Sequence, residues 1–250
     1  MRMSGAAYTD LSGKQALVTG GGRGLGAAVC RRLAMAGASV LVADVRQDLA
    51  KERCEELASQ GFRARPVLLD VCDPGAVADV FRDVDEDGGR VDILVNNAAV
   101  DVSKSAEHLT ADEVTRVVST NLLGPMYLCL EAYRRMVVQG GGHIVNILST
   151  AANRTWTEAG PYAASKSGLR AFTHTLFKEA QRDCEGIGVT GIIAGGMETA
   201  FILERFPDAD VSMLQSPEIV ADTVLYALSV PSGSALGELV VVPRREPSWP

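Results

Sequence analysis

Gln15-Ala16-Leu17-Val18-Thr19-Gly20-Gly21-Gly22-Arg23-Gly24-Leu25-Gly26 carries a short apolar run straight into a cluster of glycines. Leu25, Val29, Leu33 and Ala36 then recur at helical spacing. The segment reads as strand, tight turn, helix. Gly20, Gly22, Gly24 and Gly26 fall where a chain must turn sharply and where backbone can approach a pyrophosphate, with the helix N-terminus facing the anion. Glycines also serve plain turns, so the rest of the chain has to decide.

Working outward, short β-branched runs alternate with helical segments, the pattern of βαβ units around a parallel sheet. The strands are expected near Gln15–Val18, Ser39–Ala43, Arg65–Leu69, Asp92–Val95, His143–Leu148, Gly188–Ile193 and Glu238–Val242. Leu49, Cys54, Leu57 and Ala58 form a helical stripe that stops at Gly61. Thr110 with Glu113 makes a capping box that opens one long helix toward Met136, closed by Gly140, Gly141 and Gly142. The fold class is therefore α/β, a doubly wound parallel sheet, and ligands are sought at the carboxyl ends of its strands.

Composition narrows the function. The 250 residues are 47% hydrophobic and 22% charged, enough to bury one large core in a single domain. A net charge of −7 without clustered Lys and Arg argues against a nucleic-acid partner. No run approaches the ~20 apolar residues of a membrane span, and Met1 to Asp10 has no signal-peptide stretch, so a cytoplasmic protein with no membrane partner is expected. The five cysteines, Cys30, Cys54, Cys72, Cys129 and Cys184, include no C-x-x-C pair and suggest neither a disulfide framework nor a metal site.

Asp44 closes the second strand, 18 residues beyond Gly26. That is near the ~20-residue offset at which a carboxylate reaches a ribose 2′-hydroxyl. Such a carboxylate repels a 2′-phosphate and favours NAD. Arg23 and Arg46 flank the position with guanidiniums that suit a 2′-phosphate, so dual use of NADP stays open. Asp70-Val71 ends the third strand and can meet an adenine ring; the alternative for Asp70 is a helix cap.

Tyr162 and Lys166 are four apart, which on a helix places both on one face. A free tyrosine titrates near 10, so it serves as an acid/base near neutrality only if a cation favours the phenolate. Lys166 supplies that cation. Alone, such a pair is also an ordinary surface contact. Ser149 follows the apolar run Ile144–Leu148 and sits at a strand end, placed for a substrate oxygen or for a turn. Asn121 lies four residues before Pro125, which has no amide to donate to the Asn121 carbonyl; that carbonyl can hold a relay water, or the proline can simply kink a helix.

Thr19-Gly20-x-x-x-Gly24-x-Gly26, Asn96-Asn97-Ala98-Ala99, Asn121, Ser149 and Tyr162-x-x-x-Lys166, in this order, resemble the short-chain dehydrogenase/reductase family over nearly the whole chain. The resemblance implies a single Rossmann domain over 1–250, a seven-stranded sheet of order 3-2-1-4-5-6-7 with helices on both faces, and a homotetramer or homodimer. It also implies Tyr162 as general acid/base, Ser149 orienting the substrate oxygen, Lys166 on the nicotinamide ribose, and Asn121 holding the relay water. Cofactor contacts are implied for Val45, Val71, Asn97, Ala98, Met197 and Thr199 beside Gly20, Gly22, Arg23, Gly24, Leu25, Gly26, Asp44 and Asp70.

The sequence departs from the family at Ala99, where glycine is usual, and at Ala194-Gly195, where Pro-Gly is usual; the latter loop is expected to be less rigid. Residues 197–216 are expected to form a substrate lid with Phe201, Ile202, Leu203, Phe206 and Met213 as its apolar members. The pocket is expected to draw on Val100 to Lys104, Thr150, Asn153 and Trp156, with Arg154 and Arg205 each suited to one anion. A small alcohol or ketone is the expected substrate. A non-catalytic dinucleotide-binding protein would ordinarily have lost one of the four catalytic candidates. A nucleotide-sugar epimerase or dehydratase would need a larger C-terminal region than the chain after Ile193 provides.

Overall fold

In the computed structural model, which describes residues 9–204, 208, 210–231 and 233–249, strands and helices alternate from the start. They run β1 (Gln15–Thr19), α1 (Gly24–Met35), β2 (Ser39–Asp44), α2 (Gln47–Ser59), β3 (Ala64–Leu68), α3 (Pro74–Glu86) and β4 (Ile93–Asn96). Then follow α4 (Ala111–Val118), α5 (Gly124–Gln139), β5 (Gly142–Ser149), α6 (Gly160–Asp183), β6 (Ile187–Ala194), α7 (Ala200–Leu203), α8 (Pro217–Leu228) and β7 (Glu238–Val241). The strands form one seven-stranded, all-parallel sheet of order β3-β2-β1-β4-β5-β6-β7, as the resemblance implies.

Strand side chains alternate between two buried faces, which is why these strands read as continuous apolar runs. Val18, Val42, Val95 and Val145 pack with α1, α2 and α8 through Val29, Leu33, Leu57 and Val224. Leu17, Leu41, Leu94 and Ile144 face the other way, onto α3, α5 and α6 through Phe81, Leu128, Met136 and Leu176. After β3 the chain crosses to the far side of β1 to lay down β4, so the two halves of the sheet diverge between β1 and β4. A crevice opens there at the strands' carboxyl ends.

Two local features refine the sequence reading. The capping box at Thr110 and Glu113 is present, but the expected single helix is interrupted: Ser119–Leu123 form a π turn in which the amide of Gly124 reaches back to the carbonyl of Ser119. Pro125, which cannot donate an amide, sits in the first turn of α5 immediately after, the condition under which a helical ladder skips a residue. Gly140 then ends α5 in the left-handed conformation, φ +76. Asp73, not Asp70, caps α3 by accepting the amides of Gly75 and Ala76; Asp70 accepts the amide of Cys72 in the turn before it. Among the described residues no helix is long and apolar enough to cross a membrane.

Candidate active site

The glycine loop is held by the strand beside it. The amide of Asn97 donates to Thr19 Oγ1 at 3.0 Å, and its Nδ2 donates to the carbonyls of Thr19 at 2.9 Å and Gly20 at 3.1 Å. Ala98 adds a second amide to Thr19 Oγ1 at 3.1 Å. Thus Asn97 and Ala98 staple the end of β4 to the loop after β1, across the crevice. Gly26 is required by close approach, since a Cβ there would lie 2.0 Å from the carbonyl oxygen of Gly20. α1 begins with no side-chain cap and no acidic residue in its first turn, leaving its end suited to an anion.

From this loop a cleft of about 930 Å³ runs along the carboxyl ends of the sheet. Asp44 marks one end, only 8% exposed. Its carboxylate accepts the Gly22 amide at 3.0 Å and the Arg46 amide at 2.9 Å. Val45, Asp70, Val71 and Cys72 share this wall. The other end holds Ser149, Tyr162 and Lys166. An acidic end, a glycine-lined middle and a hydroxyl-and-ammonium end on one continuous groove fit an extended dinucleotide of the NAD(P) type.

The Tyr162 end of the cleft is built by α6 lying on β5. Asn146 donates to Thr173 Oγ1 at 2.9 Å, pinning the helix to the strand. One turn separates Tyr162 from Lys166, whose Nζ donates to the Ile147 carbonyl at 2.9 Å and stands 5.9 Å from the Tyr162 ring centroid. Lys166 is 3% exposed, and burial pushes its ammonium down to about 8, partly countered by Asp101. Ser149 Oγ accepts the amide of Ala151 at 3.2 Å, which leaves its hydroxyl hydrogen for another acceptor.

Asn121 is fully buried. Its Oδ1 accepts the Val100 amide and its Nδ2 donates to the Val100 carbonyl, both at 2.8 Å, and to Ser165 Oγ at 3.2 Å. Ser165 in turn donates to the Tyr162 carbonyl at 2.7 Å. The side chain thus ties the strand-end loop after β4 to α6.

The structure brings Gly20, Arg23, Gly24, Leu25, Asp44, Val45, Asp70, Val71, Asn97, Ala98, Ser149, Tyr162, Lys166, Met197 and Thr199 onto one cleft wall. Gly22, Gly26 and Asn121 lie behind that wall, where they shape it. Val100, Thr150, Arg154 and Trp156 join the Tyr162 end, whereas Val102 packs in a small core with Tyr162, and Lys104 pairs with Glu113. In the lid, Phe201 packs on Tyr162 with ring centroids 6.2 Å apart, and Ile202 also lines the cleft. Arg205 and Phe206 lie outside the described residues.

The C-terminal tail adds residues that no sequence signal marked. Glu246, Pro247 and Ser248 line the cleft. Glu246 Oε2 accepts the Gly196 amide at 2.8 Å, and Ser248 Oγ donates to Thr150 Oγ1 at 2.8 Å, beside Ser149. A Cβ at Gly195 would meet Glu246 Oε2 at 2.6 Å, so the tail crosses where glycine stands. The loop that lacks the family's proline is pinned instead by Glu246 and by Gln215, which exchanges backbone bonds with Gly196 and Glu198.

The family model for short chain dehydrogenases matches residues 14–210. This chain belongs to the short-chain dehydrogenase family. An uncharacterised oxidoreductase of Thermotoga maritima is 41% identical to this short-chain dehydrogenase over 191 residues, 76% of this chain and 73% of that protein. A crystal structure of a short-chain type dehydrogenase/reductase from Mycobacterium marinum superimposes with a TM-score of 0.86 at 28% identity, over 94% of this chain and 96% of that one. A gluconate 5-dehydrogenase from Burkholderia cenocepacia, in complex with NADP and tartrate, gives a TM-score of 0.85 at 26% identity, covering 93% and 95%. The protein is therefore an oxidoreductase of this family.

Proposed function

We propose that this short-chain dehydrogenase moves a hydride between an NAD(P) cofactor and a secondary alcohol or ketone, with Tyr162 as the general acid/base. The observation that supports it most is the convergence of Tyr162, Lys166 and Ser149 with the glycine loop and Asp44 on one cleft. When bound, the nicotinamide ring supplies or accepts the hydride. Every other function falls to side chains of this protein. Tyr162 holds or releases the proton at the substrate oxygen, and Ser149 donates a hydrogen bond to that oxygen as charge develops. Lys166 contributes the nearby positive charge that favours the phenolate and reaches the nicotinamide ribose. Asn121 fixes the helix carrying these groups, and its backbone carbonyl is the proposed anchor of the proton relay. Phe201 and Ile202 cover an apolar or mixed substrate and exclude water.

Asp44 supports NAD over NADP, because a buried carboxylate at the ribose end accepts a hydroxyl and repels a phosphate. The Burkholderia gluconate 5-dehydrogenase holds NADP, so NADP stays the second cofactor of this proposal. A homodimer or homotetramer is part of the same proposal.

The test is a Tyr162→Phe variant measured against a panel of secondary alcohols, sugars, steroids and ketones, with absorbance of the reduced cofactor as readout. Turnover is expected to fall by about 10²–10⁴ while NADH binding followed by fluorescence stays intact. Retained turnover in the variant removes Tyr162 from the chemistry. Wild-type protein that binds neither NADH nor NADPH overturns the reading as a whole.

A further inference from the structure

Two arginines line the cleft beside Asp44, and both are already engaged. Arg23, in the glycine loop, grips Glu204 just past α7, with Nη1 to Oε1 at 2.7 Å and Nη2 to Oε2 at 3.3 Å. Arg46, two residues beyond Asp44, grips Asp48 the same way, with Nε to Oδ1 at 3.0 Å and Nη2 to Oδ2 at 2.6 Å. Each guanidinium presents its two-toothed edge to a carboxylate, the edge that would otherwise match a phosphate. Both carboxyls are held below their ordinary range by their arginines. Three carboxylates, Asp44, Asp48 and Glu204, therefore face two guanidiniums at the ribose end, and the local balance is negative.

The geometry points to Glu204 and Asp48 as cofactor-specificity residues: by occupying Arg23 and Arg46 they deny a 2′-phosphate its cationic partners, so the cleft takes the nucleotide with a free 2′-hydroxyl. This rests on the dinucleotide reading above. Asp44 repels the phosphate directly, and the two outer carboxylates neutralise the groups that could compensate. Glu204 is 62% exposed and Asp48 64% exposed at the side chain, so neither pair is held by burial and a single change releases each arginine. Exposed pairs of this kind are weak and screened by solvent, so freeing one arginine changes phosphate affinity by no more than about fivefold.

The position of Glu204 also gives the device reach. It follows the lid helix whose Phe201 packs on Tyr162, so the Arg23–Glu204 pair joins the phosphate loop to the lid over the catalytic tyrosine. A nucleotide that drew Arg23 away would loosen that tie.

The experiment is fluorescence titration of the full chain with NADH and with NADPH, for wild type, Glu204→Gln, Asp48→Asn and the double variant. Each single change is expected to tighten NADPH by two- to fivefold, and the double by roughly tenfold, with NADH altered less than twofold. Adding Arg23→Met to Glu204→Gln should cancel that variant's gain, and raising the salt from 50 to 500 mM should shrink it. An unchanged NADPH to NADH ratio in the double variant, with NADH still bound, overturns the proposal and leaves the dinucleotide reading standing. Binding of neither nucleotide by the wild type overturns both.

Discussion

Lys166 Nζ donates to the backbone carbonyl of Ile147 at 2.9 Å, so α6 places its ammonium against β5 rather than toward solvent. That location carries a thermodynamic consequence that can be measured without any substrate. Burial pushes the ammonium from 10.5 down to about 8, at about 1.4 kcal/mol for each tenfold change in proton affinity, or about 3 kcal/mol.

The sign follows from where the proton sits. Below pH 8 both folded and unfolded chains hold it, and the folded state bears the full cost of a buried charge. Between pH 8 and 10.5 the folded chain loses the proton while the unfolded chain keeps it, so stability from this group rises with pH. Lys166→Met lacks the titration. Its stability relative to wild type should therefore fall by about 3 kcal/mol between pH 7.5 and 10.5, read by urea unfolding at the two pH values. A difference independent of pH would mean that the ammonium is not desolvated in the folded protein.

Asn121 serves the backbone on both sides of Val100, and this fixes what its loss should do. Asn121→Leu removes the partner of the half-buried amide and carbonyl of Val100, each worth about 1–3 kcal/mol when left unsatisfied. Stability should fall by about 3 kcal/mol, a drop in Tm of roughly 6–12 °C by thermal unfolding. Ser165→Ala, which removes the link from Asn121 to α6 and the Ser165 bond to the Tyr162 carbonyl but leaves both Val100 bonds, should cost about 1 kcal/mol. Equal effects in the two variants would show that the Val100 bonds are not what Asn121 contributes.

These cases mark what could be seen in the sequence. The alternation of strands and helices, the glycine loop, Asp44 and the Tyr162–Lys166 pair were legible because each depends on local pattern: a short apolar run, a period of 3.6, or a turn that favours glycine; the strand order came only through the family resemblance. Every strand differs from its expected span by a residue at one end or both; β3, whose Arg65 and Pro66 break the apolar run, and β4, which carries on to Asn96, are shifted as a whole. Pro125 was legible as a missing donor, but the π turn it accompanies depends on how Asn121 is held by Val100 and Ser165 from distant elements. The tail residues Glu246 and Ser248 have no period at all. Their place is set by Trp249 seating on Leu148, Leu169 and Ile193, a contact between residues far apart in the chain. The Arg23–Glu204 pair spans 181 positions and is invisible for the same reason.

The glycine loop separates two kinds of glycine by experiment. Gly26→Ala puts a methyl 2.0 Å from the Gly20 carbonyl oxygen, which backbone must move to accommodate. NADH affinity should fall more than tenfold, because the loop that shapes the phosphate site is displaced. Gly140→Ala meets open space and only the strain of φ +76, so it should cost about 1 kcal/mol and leave NADH affinity alone. Fluorescence titration and urea unfolding of both variants decide the matter. A Gly26→Ala protein with wild-type NADH affinity would show that the loop adjusts freely and that this glycine is not needed for the site.

The C-terminal tail couples stability to the Ser149 end of the cleft. Ending the chain after Pro243 removes the Glu246 bond to the Gly196 amide, the Ser248 bond to Thr150, and the Trp249 ring from the patch of Leu148, Leu169 and Ile193. Covering a half-buried Trp and making two net hydrogen bonds together contribute about 2–4 kcal/mol, so Tm should fall by roughly 4–16 °C. The glycine loop and Asp44 are held by β1, β2 and Asn97, none of which the tail touches, so NADH should still bind the truncated chain. The loop Gly195–Met197, no longer pinned by Glu246, should become the faster-exchanging segment in amide hydrogen exchange, while the β1–α1 loop keeps its protection. Unchanged exchange in Gly195–Met197 would show that Gln215 alone holds that loop, and that the tail covers the cleft without shaping it.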